Sequence, residues 1–244
     1  MAELTYVDQG SLHSVVEGQD LLLKQGCLHV LLGQYEQAVT ALEQVLLEQP
    51  EHADAYLVLA QIYSETGNYQ GLIPVLGEYL KLKPEDNDIR LVLAQSYFRA
   101  GEYQLAIEEY DRLAKTEELA ESADQILFLE ALAYIQLMDY GAARELLQSM
   151  PDSAGDIQGK DYYLGVCFLA EENYEMGETQ FTASLEDGEM VQLSSYSRAV
   201  CRIMKEDFDY KEALADLQTA IAYSEADRDP AITEQAQGLL DAIL

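Results

Sequence analysis

The sequence has little of what catalytic sites, disulfide scaffolds and membrane spans require. It contains no tryptophan, three cysteines, three histidines and five prolines in 244 residues. Cys27, Cys167 and Cys201 are far apart and form no CxxC pair, so we predict small reduced core residues. No run of about 18 apolar residues occurs, which excludes a membrane-spanning helix.

Basic residues are also scarce. The chain has 14 lysines and arginines against 45 aspartates and glutamates, a formal net charge of -31. Such a surface repels phosphate backbones and anionic lipid, so we predict no nucleic-acid partner and no membrane insertion. Solubility is the plain interpretation of the acid excess, and attraction of cationic partners is the alternative. Apolar residues make up 49% of the chain, which argues against disorder.

Residues 1–10 lack the basic start and the apolar centre of a signal peptide. If the printed sequence begins at the natural start, we expect a cytoplasmic protein. A secreted or surface protein whose signal has been trimmed would have the same sequence.

What the chain does contain is an internal repeat. Six tyrosines recur at intervals of 34, 34, 37, 34 and 36 residues: Tyr35, Tyr69, Tyr103, Tyr140, Tyr174 and Tyr210. Each is followed three residues later by a small or apolar residue and seven residues later by a large apolar one. Self-similarity at this period predicts stacked supersecondary units.

The second unit shows what one repeat contains. Tyr56, Leu59 and Tyr63 lie on one face of a predicted helix, which Gly67 ends. A second apolar stripe follows, and Pro84 closes it. Each unit is therefore predicted to be two antiparallel helices joined by a short turn.

This pattern resembles the tetratricopeptide repeat (TPR) family, whose 34-residue helix pair follows W-x2-L-G-x2-Y…A-x3-F…P. The resemblance implies an all-α, right-handed superhelix, an α-solenoid of antiparallel helix pairs with terminal capping helices. We assign residues 1–18 to an N-terminal extension, residues 19–224 to the repeats and residues 225–244 to a C-terminal capping helix. The six predicted pairs span 19–52, 53–86, 87–123, 124–157, 158–193 and 194–224.

Local departures from the repeat carry their own predictions. Pro74 predicts that the second helix of unit two starts late or is kinked. Three added residues around 115–124 predict a lengthened helix instead of a loop. Residues 150–160 are predicted to form the least regular connection between helices in the array. Units four to six have lost the turn glycine, which is replaced by Met138, Glu172 and Phe208.

Chemistry-bearing motifs are missing. The chain has no G-x-G-x-x-G, no P-loop and no nucleophile elbow, and no two histidines share helical spacing. Its carboxylates are numerous, but none is marked as buried by its context. We therefore predict no enzyme activity, no cofactor and no metal.

In the TPR family the first helix of each pair lines a concave groove. By this resemblance, nine residues are predicted to line a peptide-binding groove: Leu57, Gln61, Leu91, Gln95, Phe98, Phe128, Leu132, Tyr162 and Val166. The alternative is that about half of them only pack on adjacent helices. An apolar groove with a few glutamines is suited to an amphipathic or extended peptide.

A cluster of cations is predicted at the far end of this groove. Arg198, Arg202 and Lys205 have i, i+4, i+7 spacing and could receive a carboxylate or an acidic segment. Pairing with nearby acids such as Glu172 or Glu206 is the alternative.

These observations predict a non-catalytic scaffold that binds an apolar or amphipathic segment of a protein partner in the groove. One alternative is an acidic TPR-type chaperone for a hydrophobic secretion or assembly client. Another is a self-associating structural module, a homodimer formed by the apolar helices of units four and five.

Overall fold

The computed structural model describes residues 21–151, 157–205 and 210–244, and the predicted extension 1–18 lies outside them. These ranges contain thirteen α-helices, one 3₁₀ helix (Glu117–Ser122) and no β-strand. The α-helices are α1 (Leu21–Leu31), α2 (Tyr35–Glu48), α3 (Ala53–Glu65), α4 (Tyr69–Leu82), α5 (Asn87–Arg99), α6 (Tyr103–Ala114), α7 (Ala123–Gln136), α8 (Tyr140–Ser149), α9 (Lys160–Ala170), α10 (Tyr174–Glu186), α11 (Val191–Met204), α12 (Tyr210–Ala222) and α13 (Pro230–Ile243).

The helices pack in consecutive pairs within two compact bodies. The first body, Met1–Thr116, holds α1 to α6, and the second body, Glu117–Leu244, holds α7 to α13. We call the odd-numbered helices α1 to α11 A helices and the even-numbered helices α2 to α12 B helices. Every tyrosine of the repeat is the first residue of a B helix. The predicted all-α fold of six helix pairs is therefore confirmed.

The A helices share a short pattern of buried residues at its first, sixth and eighth positions. We call the numbering of residues from the first position of this pattern the register of the helix. In α3 its first, sixth and eighth residues are Ala55, Ala60 and Ile62, which are all buried. The residues at the same positions are also buried in three other A helices. They are Ile89, Ala94 and Ser96 in α5, Ile126, Ala131 and Ala133 in α7, and Ser194, Ala199 and Cys201 in α11. In α9 they are Lys160, Gly165 and Cys167, of which the last two are buried. Small side chains recur here because neighbouring helices approach closely.

The turn between the helices of a pair needs one left-handed residue. In the first body this residue is a glycine, at Gly33, Gly67 and Gly101. In the second body Met138 and Glu172 take the same place with φ of 60° each. Loss of the glycine therefore leaves the turn intact, and Phe208 lies outside the described residues.

The predicted late start of the second helix of unit two is wrong. Helix α4 begins at Tyr69, the repeat tyrosine at which the other B helices also begin. The Asn68 side chain caps it by accepting a hydrogen bond from the Gly71 amide at 3.1 Å. Pro74 lies inside this helix on its exposed side. The added residues after Ala114 form the 3₁₀ helix and do not lengthen α6 or α7. Residues 152–156 of the predicted loose connection are not among those described.

The C-terminal capping helix is confirmed, although it begins at Pro230 instead of residue 225. Ala236 is fully buried, and Leu239, Leu240 and Ile243 pack beside it on the core of α11 and α12. The Gln192 side chain holds the start of α13, since its Oε1 accepts from the Asp229 amide at 2.7 Å. Its Nε2 donates to the Asp229 carbonyl at 3.0 Å.

The three cysteines are buried free thiols, as predicted. Burial raises the pKa of Cys167 and Cys201 to about 12. Both thiols therefore stay protonated and behave as small core side chains.

Candidate protein-binding face

All nine residues predicted to line a groove are half-buried in the structure. Those on α3 and α5 form what we call the first-body row, namely Leu57, Gln61, Leu91, Gln95 and Phe98. Those on α7 and α9 form the second-body row, namely Phe128, Leu132, Tyr162 and Val166. In α3, α5, α7 and α9, eight of the nine residues occupy the third and seventh positions of the register, and Phe98 occupies the tenth position in α5. The two rows lie in separate bodies.

Aromatic contacts order the second-body row. The ring of Phe128 meets Tyr163 edge-on at 5.8 Å between centroids, and Tyr163 meets Tyr162 edge-on at 5.2 Å. Tyr162 also lies 5.8 Å from the buried ring of Phe181. Edge-to-face pairs at these distances are favourable beyond the area they bury. These ring contacts hold Phe128 and Tyr162 of the row in place.

Tyr162 is fixed at its polar end as well. Burial raises the pKa of Tyr162, and its hydroxyl shares a hydrogen bond with Ser197 of α11. The neutral hydroxyl is thus satisfied inside the protein, and the residue as a whole is half-buried.

Two residues that were not predicted from the sequence continue this row on α11. Tyr196 and Val200 stand in the third and seventh positions of the register set by Ser194, and both are half-buried. The spacing of the repeat tyrosines does not predict them, because the connection after Met204 is longer than in other units. Tyr210 therefore stands two residues later, relative to α11, than a 34-residue repeat would place it. The small-residue pattern of α11 was the signal that could have found them.

The structure places the predicted basic cluster elsewhere. Arg198 and Arg202 hold the fifth and ninth positions of the register, where α3 has Leu59 and Tyr63 of the packing stripe. The Arg198 guanidinium binds both oxygens of Asp216 on α12, at 3.0 and 2.6 Å. The ion pairs of Arg198 and Arg202 therefore lie between A and B helices, at positions where α3 has residues of the packing stripe.

Carboxylates of the B helices match all three cations. Arg202 binds Glu178 at 2.7 Å and Asp216 at 2.8 Å, and it also reaches Glu212 at 3.0 Å. Lys205 pairs with the other oxygen of Glu178. Pairing with nearby acids was the alternative predicted from the sequence, and the structure shows it with Glu178, Glu212 and Asp216. Glu206 lies outside the described residues. Among the described residues, three cations face three carboxylates in this network.

Opposing effects act on the pKa of Glu178. Burial raises it, but hydrogen bonds from Lys205 and Arg202 outweigh burial and hold the pKa below its ordinary value. Glu178 therefore stays ionised at neutral pH and keeps the network intact.

The first-body row contains an unsatisfied polar atom. The Gln61 amide donates from Nε2 to Glu65 at 2.9 Å. Its Oε1 is buried and has no hydrogen-bond partner among the residues that the structure describes. An unpaired buried acceptor costs about 1–3 kcal/mol. Gln95 repeats this residue type one unit later, beside Phe98, whose ring meets Tyr103 at 5.3 Å.

Charge is distributed unevenly between the two kinds of helix. The six A helices carry six acidic and six basic residues. The six B helices carry thirteen acidic and four basic residues. The acid excess of the protein is thus concentrated away from the A helices, which carry the two rows.

Among residues 21–151, 157–205 and 210–244, no group of three or more His, Cys, Asp or Glu side chains is placed to hold a metal ion. Of the helices described, none combines the length and the apolar character needed to cross a bilayer.

Comparison with known proteins identifies relatives in fold. The family model described as anaphase-promoting complex, cyclosome, subunit 3 matches residues 31–113 and 65–150. The search of curated proteins finds no significant match. Among solved structures, a tetratricopeptide repeat protein from Parabacteroides merdae is 19% identical, with a TM-score of 0.65 over 91% of this chain and 84% of that one.

Two further structures cover most of the chain. PilF of Pseudomonas aeruginosa is 13% identical, with a TM-score of 0.61 over 93% of this chain and 99% of that one. PilW, described as a widely conserved type IV pilus biogenesis factor, is 15% identical, with a TM-score of 0.58 over 89% and 97%. At these identities the agreement is one of fold.

Proposed function

We propose that this chain, a tetratricopeptide-repeat protein, is a non-catalytic scaffold that binds an apolar or amphipathic segment of a protein partner. The second-body row is the main docking surface. The observation that carries the proposal is that the half-exposed apolar rows lie on A helices, which together have as many basic as acidic residues in a protein of net charge -31.

The chemistry of the second-body row supports binding through apolar contact. Interface cores are depleted in charge and enriched in aromatic residues, and a few anchors supply most of the energy. Tyr162 and Phe128 are aromatic anchors already ordered by ring contacts. Because little side-chain freedom remains to be lost there, the entropic cost of binding is reduced.

The first-body row adds polar recognition. The Gln61 side chain is only half-buried in this row, so its amide group is available to a backbone group of a bound segment. Gln95 offers the same group one repeat further along. This arrangement favours a partner segment that leaves backbone donors free, such as an extended peptide.

The test is capture of partners from the native cell by wild-type protein and by a Leu132→Glu, Val166→Glu variant. Both side chains are only half-buried, so the helical content should be retained. Leu137→Glu is the matched control, since this exposed leucine lies just after α7 and outside the row. We expect the double variant, but not the control, to lose the partner. Equal capture by all three proteins would contradict the proposal.

Salt gives an independent readout of the same interaction. Contacts between neutral apolar surfaces are not screened, whereas exposed ion pairs weaken as the Debye length falls. We therefore expect the captured complex to persist when the salt concentration is raised. Loss of the complex in salt would assign the binding to the acidic B helices instead.

A chaperone for a hydrophobic client would use the same neutral, apolar face. The two activities differ in their effect on the partner. A chaperone suppresses aggregation of the captured protein, whereas a scaffold forms a stable complex without such protection. Light scattering of the partner with and without this protein separates them.

A further inference from the structure

The second-body row extends over three consecutive A helices. Six half-buried residues with aromatic or aliphatic side chains fill the third and seventh positions of the register there: Phe128 and Leu132 on α7, Tyr162 and Val166 on α9, and Tyr196 and Val200 on α11. We call these six residues the apolar strip. All of them belong to the second body.

Direct contacts join the three helices that carry the strip. The ring of Phe128 on α7 meets Tyr163 of α9 at 5.8 Å, and the Tyr162 hydroxyl shares a hydrogen bond with Ser197 of α11. Packed helices stand about 8–10 Å apart, so the strip is about 20 Å long. Its two residues on each helix are one turn, or about 6 Å, apart. The strip therefore has the length and the width of one bound segment.

The strip offers a bound segment almost no hydrogen-bonding groups. Four of its six side chains are pure hydrocarbon, and the Tyr162 hydroxyl is already bonded to Ser197. The backbone groups of an α-helix interior are paired within the helix. A bound segment would therefore find at most one free polar side-chain group on the strip, the Tyr196 hydroxyl.

This lack of polar groups favours a helical occupant over an extended one. Each residue of an extended segment carries a backbone donor and an acceptor, and those facing the strip would leave water without a new partner. An α-helix pairs its own N–H and C=O groups and can turn one apolar face to the strip. Two turns of an α-helix rise about 10.8 Å, which is close to the usual distance between packed helices. Apolar residues two turns apart can therefore contact successive A helices.

The first-body row differs at the same positions of the register. Its seventh positions are Gln61 and Gln95, whose amides can pair with a peptide backbone. The seventh positions of the strip are Leu132, Val166 and Val200, which have no polar atom in their side chains. The argument for a helical occupant thus applies to the strip and not to the first-body row.

The charge of the second body selects among helical partners. Glu117–Leu244 contains 27 acidic and 7 basic residues, a formal net charge of -20. This field repels a helix with an acidic polar face and attracts one with a basic polar face. The strip itself carries no charge, so electrostatics acts mainly on the rate of association, and apolar contact holds the complex.

We propose that the apolar strip binds one amphipathic α-helix of a protein partner, about four turns long, with its apolar face on the strip and a basic face towards solvent. This inference rests on the proposed function and narrows the bound segment to a helix of stated charge. It also assigns Tyr196 and Val200 to the contact.

Three synthetic peptides of equal length test the proposal by fluorescence anisotropy with the full chain. The first combines leucine and lysine with the helical period, and the second has the same composition with the period of two of an extended segment. The third keeps the helical period and has glutamate in place of lysine. We expect the first to bind at least about 10-fold more tightly than the second and to become helical by circular dichroism. The third should associate at least about 10-fold more slowly than the first.

Substitutions on the strip show where the first peptide binds. We expect Val200→Glu and Tyr196→Ala each to weaken its binding about 10-fold or more, because the first buries a charge and the second removes an aromatic anchor. Tyr196 also packs beside the core of α11, α12 and α13, so thermal melts of both variants are the check on folding. Leu137→Glu, outside the strip, is the control and should bind as wild type does.

Three results would overturn the proposal: no binding of the first peptide, equal binding of the first and second peptides, or binding that neither strip variant weakens. The last result would place the lysine peptide on the acidic B helices. The proposed function fails separately, when Leu132→Glu with Val166→Glu still captures the native partner. Capture that requires the strip, together with a preference for the second peptide, would leave the scaffold standing and refute the helix.

Discussion

The two bodies build the same inter-helix turn from different residues. At Gly67 the turn amide donates to Ser64, and the next amide, of Asn68, donates back to Tyr63 at 2.8 Å. At Met138 the corresponding bonds go to Ile135 and, from Asp139, to Tyr134 at 3.0 Å. Hydrogen bonding of the last turn thus defines this geometry, and glycine lowers its cost without being required.

The bodies also differ in how they use charge. In the first body one carboxylate, Glu109, accepts hydrogen bonds from Arg90 and Arg112. In the second body three cations and three carboxylates join α10, α11 and α12 in one network. In the last unit, ion pairs stand between the A and B helices where α3 has apolar packing. The stability of this unit should therefore respond to pH and to the removal of single charges.

The largest effect is expected from Asp216→Ala. Asp216 is almost fully buried and pairs with Arg198 and Arg202, so its removal leaves two partly buried guanidiniums without this partner. We expect a loss of about 3–5 kcal/mol in unfolding free energy, measured by urea denaturation. Glu145→Ala, at an exposed residue of α8, is the control and should change little. A loss under about 1 kcal/mol, as for a surface pair, would contradict the network's importance.

Acid should weaken the second body through Glu178. Its folded pKa is depressed, so its contribution to stability is present above its unfolded pKa and is lost as pH falls through the folded pKa. We expect Glu178→Gln to be less stable than wild type at pH 7 and to lose less stability on acidification. Thermal melts of both proteins across the acidic range measure this. Parallel pH profiles would show that Glu178 is not linked to folding.

Substitutions at the inter-helix turn should change stability less than Asp216→Ala does, and in opposite directions in the two bodies. Met138→Gly relieves a left-handed residue, and we expect a gain of about 1 kcal/mol. Gly67→Ala imposes such a residue on the first body, and we expect a similar loss. Urea denaturation of the two variants gives both values. A loss from Met138→Gly would mean that the methionine side chain contributes packing that outweighs the backbone cost.

The smallest effect concerns the unsatisfied acceptor of the first-body row. Gln61→Leu removes the buried Oε1, and we expect a stability gain of up to about 1 kcal/mol together with weaker partner binding. Differential scanning calorimetry and the capture assay measure the two quantities. Gln95→Leu is the comparison, since its amide is not among the buried unsatisfied groups. If Gln61→Leu leaves binding unchanged, the amide has no role in recognition.

The helix pairs could be predicted because their signal is local and repeated. Each tyrosine of the repeat begins a B helix, and each unit carries its small-residue pattern within one helix. The ion pairs of Arg198 and Arg202 could not be predicted from local spacing, because their partners lie on other helices. The 3₁₀ helix was missed because three extra residues carry no strong local preference.

The nine row residues remain predictions of function. That they are half-buried follows from repeat geometry, since each A helix packs on its neighbours with part of its surface only. Tyr196 and Val200 show that burial patterns place such residues more reliably than the spacing of the tyrosines. What binds the rows depends on a partner that the chain does not contain.

The most direct test of the central claim compares partner binding by wild type, by Leu132→Glu with Val166→Glu, and by Leu137→Glu, at low and high salt. The account predicts that wild type and the Leu137→Glu control bind equally at both salt concentrations, and that the double variant binds at neither. Full binding by the double variant, or binding that salt abolishes in the wild type, would contradict a neutral, apolar docking surface on the second body.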